Sequence, residues 1–408
     1  MGNTDSTKKI YLVGGAVRDT LLKLPIKDKD YVAVGFREED FKHLPRVGKN
    51  FPVFLQKDGS QIALARREKK TQHGYNGFSV EVQRVSLYED LKRRDLTINA
   101  IAFDEETQTY YDPFNGIKDL KNKILRHISS AFCEDPLRVL RIARLRAKLG
   151  KEWKIHKNTK ILIQKMRNEL LYLEKNRVYK EVENVLLRKN SHLFFESLFE
   201  LGILDIIFPK IYTLTTQQEN NLPHLKTFLC AMEMLKIMES TTKNTKHILI
   251  LKFAALYCNL NNPKPNGTKI IASSLDIAIP NVIKKPLLLL IQNHTKICSL
   301  SQMSPKECIE FFDSYKKNST LLELQIILLF SHKQRDMSLK ISQQTLESSF
   351  LEVKATLLNA FRDLIDYSPK EWITQKGLAT SLIKERILKE KIEILKKNST
   401  FLTLQKCF

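Results

Sequence analysis

Asp28 and Asp30 are two carboxylates with one residue between them. In an extended chain, residues two apart point to the same face, so both converge on one side. Hard divalent cations are held by carboxylate oxygens, with water and phosphate filling the remaining positions. A pair of such ions can lower the pKa of an attacking hydroxyl and stabilise a leaving pyrophosphate. Alone, an Asp-x-Asp is most often a solvated surface pair. Here Gly14-Gly15 stands upstream, and backbone N–H groups at a helix start can cradle a triphosphate. Arg18, one turn on, faces the same anion. Asp19 reads as the local partner that orients Arg18 rather than as a metal ligand.

Two further stretches carry charge in usable patterns. In RRDLTIN, Arg93 to Asn99, two adjacent arginines are expected to enter a helix. Beside a triphosphate, Arg94 is a candidate clamp, because a guanidinium binds phosphate oxygens bidentately. Asp95 is either a third carboxylate near the metals or half of a structural ion pair. In EDPLRVLRIAR, Asp135 and Arg138 are three apart, so on a helix they lie side by side. Arg141 and Arg144 continue the row. Cytosine and adenine both present an amine donor beside a ring-nitrogen acceptor. A carboxylate accepts from the first and a guanidinium donates to the second. Uracil and guanine present the reverse polarity, so such a pair can select C and A without a template. The alternative is a salt-bridged, exposed helix face, worth little energetically.

The elements that must position these groups are legible. Ile10 to Val13 is apolar and β-prone, Ala16 to Leu24 can form a short helix that Pro25 closes, and Tyr31 to Val34 is a second strand. Residues 10 to about 130 mix strand and helix patterns, with DPFNG as a turn cluster. From Glu134 strand patterns stop and helical periodicity runs to the end. The expected fold class is α+β: a small α/β unit on a mixed sheet, followed by a long all-α remainder.

Composition sets outer bounds. The 408 residues carry 67 Lys plus Arg against 45 Asp plus Glu, a formal charge of +22 spread along the chain. A polyanion such as nucleic acid is the fitting partner, although a Lys-, Asn- and Ile-rich proteome gives the same excess. No run of about eighteen apolar residues marks a membrane span. The six cysteines form no CxxC and no apolar signal core opens the chain, which reads as free thiols in a cytoplasmic protein.

Taken together and in this order, the strings LVGGAVRD, KDKDYVAVG, LKRRDLTINAIA, DPFNGIKDLKNKILRH, EDPLRVLRIARLRAKL and NRVYKE resemble the class II tRNA nucleotidyltransferases, the CCA-adding branch of the poly(A) polymerase family. The resemblance is dense over residues 10–185 and thins beyond. It implies template-independent addition of CCA to the tRNA 3′ end from CTP and ATP, with Mg²⁺ as cofactor and no protein partner. Carried onto this chain, it implies that Asp28 and Asp30 bind metal, that Gly15, Arg18 and Arg94 hold the nucleotide, and that Asp135 and Arg138 read the base, with Arg141 and Arg144 on the nucleotide side. It also implies a flexible loop at Arg66 to Phe78, with Gly74 and Gly77, tied to the switch from C to A.

The same resemblance divides the chain into a catalytic head (1–133), a helical neck (134–205), a helical body (206–330) and a tRNA-binding tail (331–408). Related bodies often carry a His-Asp phosphohydrolase site. The counterpart here is Cys258-Asn259, and His224 and His294 complete no ligand set, so this body reads as a degenerate scaffold. Narrower products of the same chemistry (CC addition, A addition, poly(A) synthesis) stay open, as does a non-catalytic RNA-binding protein on the same fold.

Overall fold

The computed structural model describes residues 8–48, 52–70, 78–81, 84–216, 218–219, 222–223, 244–258, 275–337, 343–368, 380–398 and 401–402. It falls into two compact units, one formed by Met1–Val182 with Leu193–Ile207, the other by Glu183–His192 with Phe208–Phe408.

The first unit is built on a mixed sheet. Its strands are β1 (Lys9–Val13), β2 (Asp30–Val34), β3 (Arg46–Val47), β4 (Val53–Leu55) and β5 (Gln61–Leu64), with the hairpin β6 (Arg67–Lys70) and β7 (Phe78–Glu81) apart, and then β8 (Ala102–Asp104) and β9 (Thr109–Tyr111). The main sheet runs β3-β4-β5-β2-β1-β8-β9. Only β2 and β5 are parallel. Its two faces follow the period-two rule. Val32 packs with Val13, Leu91, Ala100 and Ala102 on one face. Ala33 packs with Phe41, Phe54, Ile62 and Leu64 on the other. Four helices dress this sheet and its exit: α1 (Gly15–Leu21), α2 (Leu87–Lys92), α3 (Gly116–Lys121) and α4 (Leu137–Leu149).

The register of β1 and β2 matters most. It pairs Val13 with Asp30, so the first residue of β2 lies directly across from the last residue before the glycine turn. A slip of one residue would send Asp30 to the opposite face. Beyond α4, a short parallel pair, β10 (Ile124–Leu125) with β11 (Lys154–Ile155), interrupts the expected all-helical run. It stitches the start of the helical region back to the end of α3. Helices α5 (Lys157–Lys165), α6 (Lys175–Leu186), α7 (His192–Glu200) and α8 (Leu204–Ile207) follow.

Among its described residues the second unit is helical apart from one strand pair, Gln218–Glu219 with Leu222–Pro223. Its helices are α9 (Pro209–Thr216), α10 (Thr245–Tyr257), α11 (Asn281–Cys298), α12 (Pro305–Asp313), α13 (Ser319–Met337), α14 (Gln343–Ile365) and α15 (Thr380–Lys397). An aromatic cluster of Phe311, Phe312, Tyr315, Phe361 and Phe401 fills its core. Cys258 caps α10, buried, its Sγ 3.8 Å from the Ala255 carbonyl. His294 is buried on α11 with Nε2 3.7 Å from the Cys298 Sγ. His224 and Asn259 lie outside the described residues, as do 71–77 of the expected loop. Among the described residues, no helix is long and apolar enough to cross a membrane.

Candidate active site

β1 ends at Val13 because Gly14 takes φ +74° and ψ −133°, a conformation that side chains rarely adopt. The turn opens α1, which runs Gly15–Leu21 and is shorter than the expected Ala16–Leu24. The backbone leaves the helix at Leu22 and Lys23, where Lys23 takes φ 55°, well before Pro25. Gly14 accepts the Arg18 N–H at 3.2 Å, and no side chain caps the first turn. The first amides of α1 are therefore without helical partners.

Two guanidinium groups flank this turn. A Cβ on Gly15 would meet the Arg18 Nη2 at 3.5 Å, and one on Gly14 would meet the Arg94 Nη1 at 3.3 Å. Arg18 is buried and firmly held. Its Nε and Nη2 donate to the Asp19 Oδ1 at 2.9 and 2.8 Å, and its Nη1 donates to the Asn99 Oδ1 at 2.6 Å. Asp19 is thus the orienting partner expected of it, and its second oxygen accepts from Lys148 on α4 at 2.6 Å.

Arg94 arrives from α2. That helix opens with a reciprocal Ser86–Glu89 cap and ends before Arg93, so the two arginines leave a helix instead of entering one. The last turn favours cations there, and Asp90 inside the helix gathers both: Arg93 at 2.6 Å and Arg94 at 3.0 Å. Burial pushes Asp90 up, but Arg93 and Arg94 outweigh it and hold the carboxyl at about 2.

Asp30 sits at the mouth of this cluster. Crowding by protein raises its pKa first, Arg94 pulls it back, and Asp28 raises it again, leaving it above the ordinary carboxylate value. Asp30 is exposed to water yet crowded by neighbouring protein. Two carboxylates that repel one another, with a guanidinium close by, suit a hard divalent cation bound through oxygen. Asp28 and Asp30 are the donors that would hold it.

Asp95 is half of an ion pair. Its Oδ1 accepts from the Leu96 N–H at 2.9 Å and the Asn99 Nδ2 at 3.0 Å, and its Oδ2 meets the Arg141 Nη2 at 3.1 Å. Burial raises its pKa, but Arg141, Asn99, Arg138 and the backbone bond together bring it to about 2. Asp95 in turn is the main reason that the Arg141 pKa is raised.

The expected helical pairing of Asp135 with Arg138 is corrected. Asp135 is extended (φ −120°, ψ 100°) and lies before α4, which begins at Leu137. Pro136 disfavours the helical region for the residue preceding it. Each side chain has other partners. Arg177 on α6 donates to both Asp135 oxygens, at 3.3 and 3.1 Å, and the Leu137 N–H donates at 3.2 Å. Arg138 is buried and donates to the carbonyls of Ala131 and Arg93, each at 2.7 Å. Arg144 donates to the Glu181 Oε2 on α6 at 2.6 Å. So Gly15, Arg18, Arg94 and Asp30 gather at the turn, while Asp135 precedes α4 and Arg138, Arg141 and Arg144 are carried on it.

Sequence reasoning did not single out Asp90, Asn99, Arg177 or Glu181. Each acts through a partner, and Arg177 and Glu181 sit in the NRVYKE string, whose spacing on one helical face was the available signal.

A sheet of this order with a glycine turn beside paired carboxylates defines a nucleotidyltransferase head. The comparisons agree. Residues 10–126 match the "Poly A polymerase head domain" and 153–214 match the "Probable RNA and SrmB-binding site of polymerase A". The chain is 37% identical over 344 residues to the multifunctional CCA protein of Mannheimia succiniciproducens, covering 78% of this chain and 82% of that one. It is 52% identical over 213 residues to the CCA-adding enzyme of Buchnera aphidicola subsp. Schizaphis graminum; that match spans about half of each protein, 50% and 52%. The Thermotoga maritima CCA-adding enzyme complexed with tRNA superposes with a TM-score of 0.57 at 18% identity, over 96% of this chain and 90% of its own. The chain belongs to the CCA-adding enzymes, the tRNA nucleotidyltransferases of the poly(A) polymerase family. Enzymes of this family use a divalent metal.

Proposed function

We propose that this protein completes the 3′ end of tRNA, adding C, C and A from CTP and ATP without a template. The observation that carries the reading is the register that sets Asp30 across from Val13, beside a glycine turn flanked by Arg18 and Arg94. In this reading Gly15, Arg18 and Arg94 hold the triphosphate. The RNA 3′-hydroxyl oxygen attacks the α-phosphorus, the bond to the bridging oxygen breaks, and pyrophosphate leaves. Fixed guanidinium and backbone N–H groups meet the charge that builds on the leaving group.

Asp28 and Asp30 would hold Mg²⁺, which would lower the pKa of the attacking hydroxyl and neutralise phosphate charge. Asp135 accepts from the exocyclic amine of C or A, and Arg138 donates to the adjacent ring nitrogen. Arg141 and Arg144 lie on the nucleotide side. Residues 1–133 form the head, 134–205 the neck, 206–330 a body without phosphohydrolase activity and 331–408 a tail that contacts tRNA. The excess of cations grips the RNA backbone by charge and shape, and the enzyme works in the cytoplasm.

The test is the product made on a tRNA transcript lacking its CCA end, supplied with CTP and ATP and sequenced at its 3′ terminus. Full CCA on most molecules is expected. Termination after CC, A alone, or a long A tail overturns the product assignment, and no extension overturns the reading itself.

A further inference from the structure

One side chain ties the two functional clusters together. The Asn99 Oδ1 accepts from the Arg18 Nη1 at 2.6 Å, and its Nδ2 donates to the Asp95 Oδ1 at 3.0 Å. The other oxygen of Asp95 is held by Arg141 of α4 at 3.1 Å. On the far side of Arg18, Asp19 is held by Lys148, also of α4, at 2.6 Å. Arg141 and Lys148 are seven residues apart, two turns on one face of the same helix. The path Arg141–Asp95–Asn99–Arg18–Asp19–Lys148 is thus a closed loop of polar contacts that leaves α4 and returns to it. Arg18 at its centre keeps its guanidinium against Gly15.

The chemistry of the joint is specific. An amide offers an acceptor and a donor at fixed separation, so it can accept from a cation and donate to an anion at once. A carboxylate at position 99 could still serve Arg18 but would repel Asp95. An aliphatic side chain would serve neither. The ion pairs at either end keep Arg18 and α4 from moving independently.

We propose that Asn99 is a positioning residue that couples base choice at the start of α4 to the triphosphate-side guanidinium of Arg18. The inference rests on the proposed base-reading role of Asp135 and Arg138. A nucleotide that seats properly at the head of α4 leaves that helix in register, and Arg18 stays over the glycine turn. A nucleotide that does not seat shifts α4, and the shift reaches Arg18 through Asp95 and Asn99. Rate and selectivity are linked by one amide.

The experiment is single-nucleotide incorporation into a tRNA lacking CCA, with CTP or UTP, by full-length wild type, Asn99→Asp and Asn99→Ala. Filter binding of the same tRNA and thermal unfolding accompany it. Asn99→Asp, nearly isosteric, is expected to keep kcat with CTP within about ten-fold of wild type while the CTP-to-UTP ratio of kcat/KM falls by about ten-fold or more. Asn99→Ala is expected to lose both, with tRNA affinity unchanged. Equal losses with CTP and UTP in both variants overturn the coupling, and so does an unchanged ratio. Unfolding of both variants below the assay temperature also counts against it, because a joint needed only for stability couples nothing. Failure of the wild type to incorporate CMP at all would instead refute the underlying functional reading.

Discussion

Arg177 donates to both carboxylate oxygens of Asp135 across 42 residues of sequence. Both bonds come from one nitrogen, Nη2, so a single charged donor anchors the carboxylate beside the Leu137 N–H. Arg177→Ala is expected to leave Asp135 held by the Leu137 N–H alone of these two. The preference for CTP over UTP in single-nucleotide incorporation should then drop by about ten-fold, and Arg177→Lys should recover only part of it. A preference that survives Arg177→Ala would mean that the bracing does not serve base choice.

The raised pKa of Asp30 has two consequences of opposite value. For chemistry, the carboxylate must be ionised to hold a cation, so incorporation should fall on acidification earlier than an ordinary aspartate would allow. For stability the sign is reversed. A carboxyl whose folded pKa is raised contributes stability at low pH that is lost as pH rises through that pKa. At neutral pH the charged Asp30 is a burden, increased by the neighbouring Asp28 charge. Asp30→Asn should therefore abolish incorporation while raising the unfolding midpoint. Asp28→Ala should abolish incorporation with tRNA binding retained. Substantial activity in either variant would remove both from the chemistry.

Asp90 and Asp95 titrate the other way. Both are held at about 2, below the value of about 3.9 for an unfolded aspartate. Their contribution is complete above about pH 4 and is lost as pH falls toward 2. The buried Trp153 gives a local reading. In a Trp372→Phe background its emission should report a loss of stability as pH falls below about 4. Arg141→Gln should reduce that pH dependence.

Gly116 opens α3 under the 97–99 turn. A Cβ there would lie 2.3 Å from the Thr97 carbonyl oxygen and 2.8 Å from the Ile101 Cγ1. Backbone cannot yield as a flexible side chain does. Gly116→Ala is expected to cost about 1–3 kcal/mol, read as a lower urea midpoint with unchanged slope. An unchanged midpoint would show that the turn relaxes freely.

Part of this arrangement was legible in the chain. Gly14-Gly15, Arg18 and Asp30 lie close in sequence, and one turn plus the β1–β2 register brings them together; Asp28 precedes β2, outside the strand on which alternation was expected to place it. Helix positions in the second unit also followed periodicity, as at 281–298 and 343–365. What escaped was of two kinds. Asp135 was drawn onto a helix because three-residue spacing was read without the effect of Pro136 on the residue before it. Asn99 and Glu181 were not assigned because their partners, Arg18 and Arg144, are 81 and 37 residues away. Spacing rules reach one or two turns, and a contact across elements depends on how those elements pack. The two arginines of RRD were placed at the wrong end of a helix for a different, local reason: the Ser86–Glu89 cap that starts α2 seven residues upstream of Arg93 was not read.

Lys148 and Arg141 grip the sheet domain from two turns of a single helix, and the stub formed by β10 and β11 sews that helix to the segment after α3. A transplant of the nucleotide-handling part between two relatives should therefore fail if cut at residue 133 and succeed if α4 and α6 travel with it. The inheritable module ends where these ion pairs end, past Glu181, and a graft that ignores this parts aspartates from cations chosen for another host.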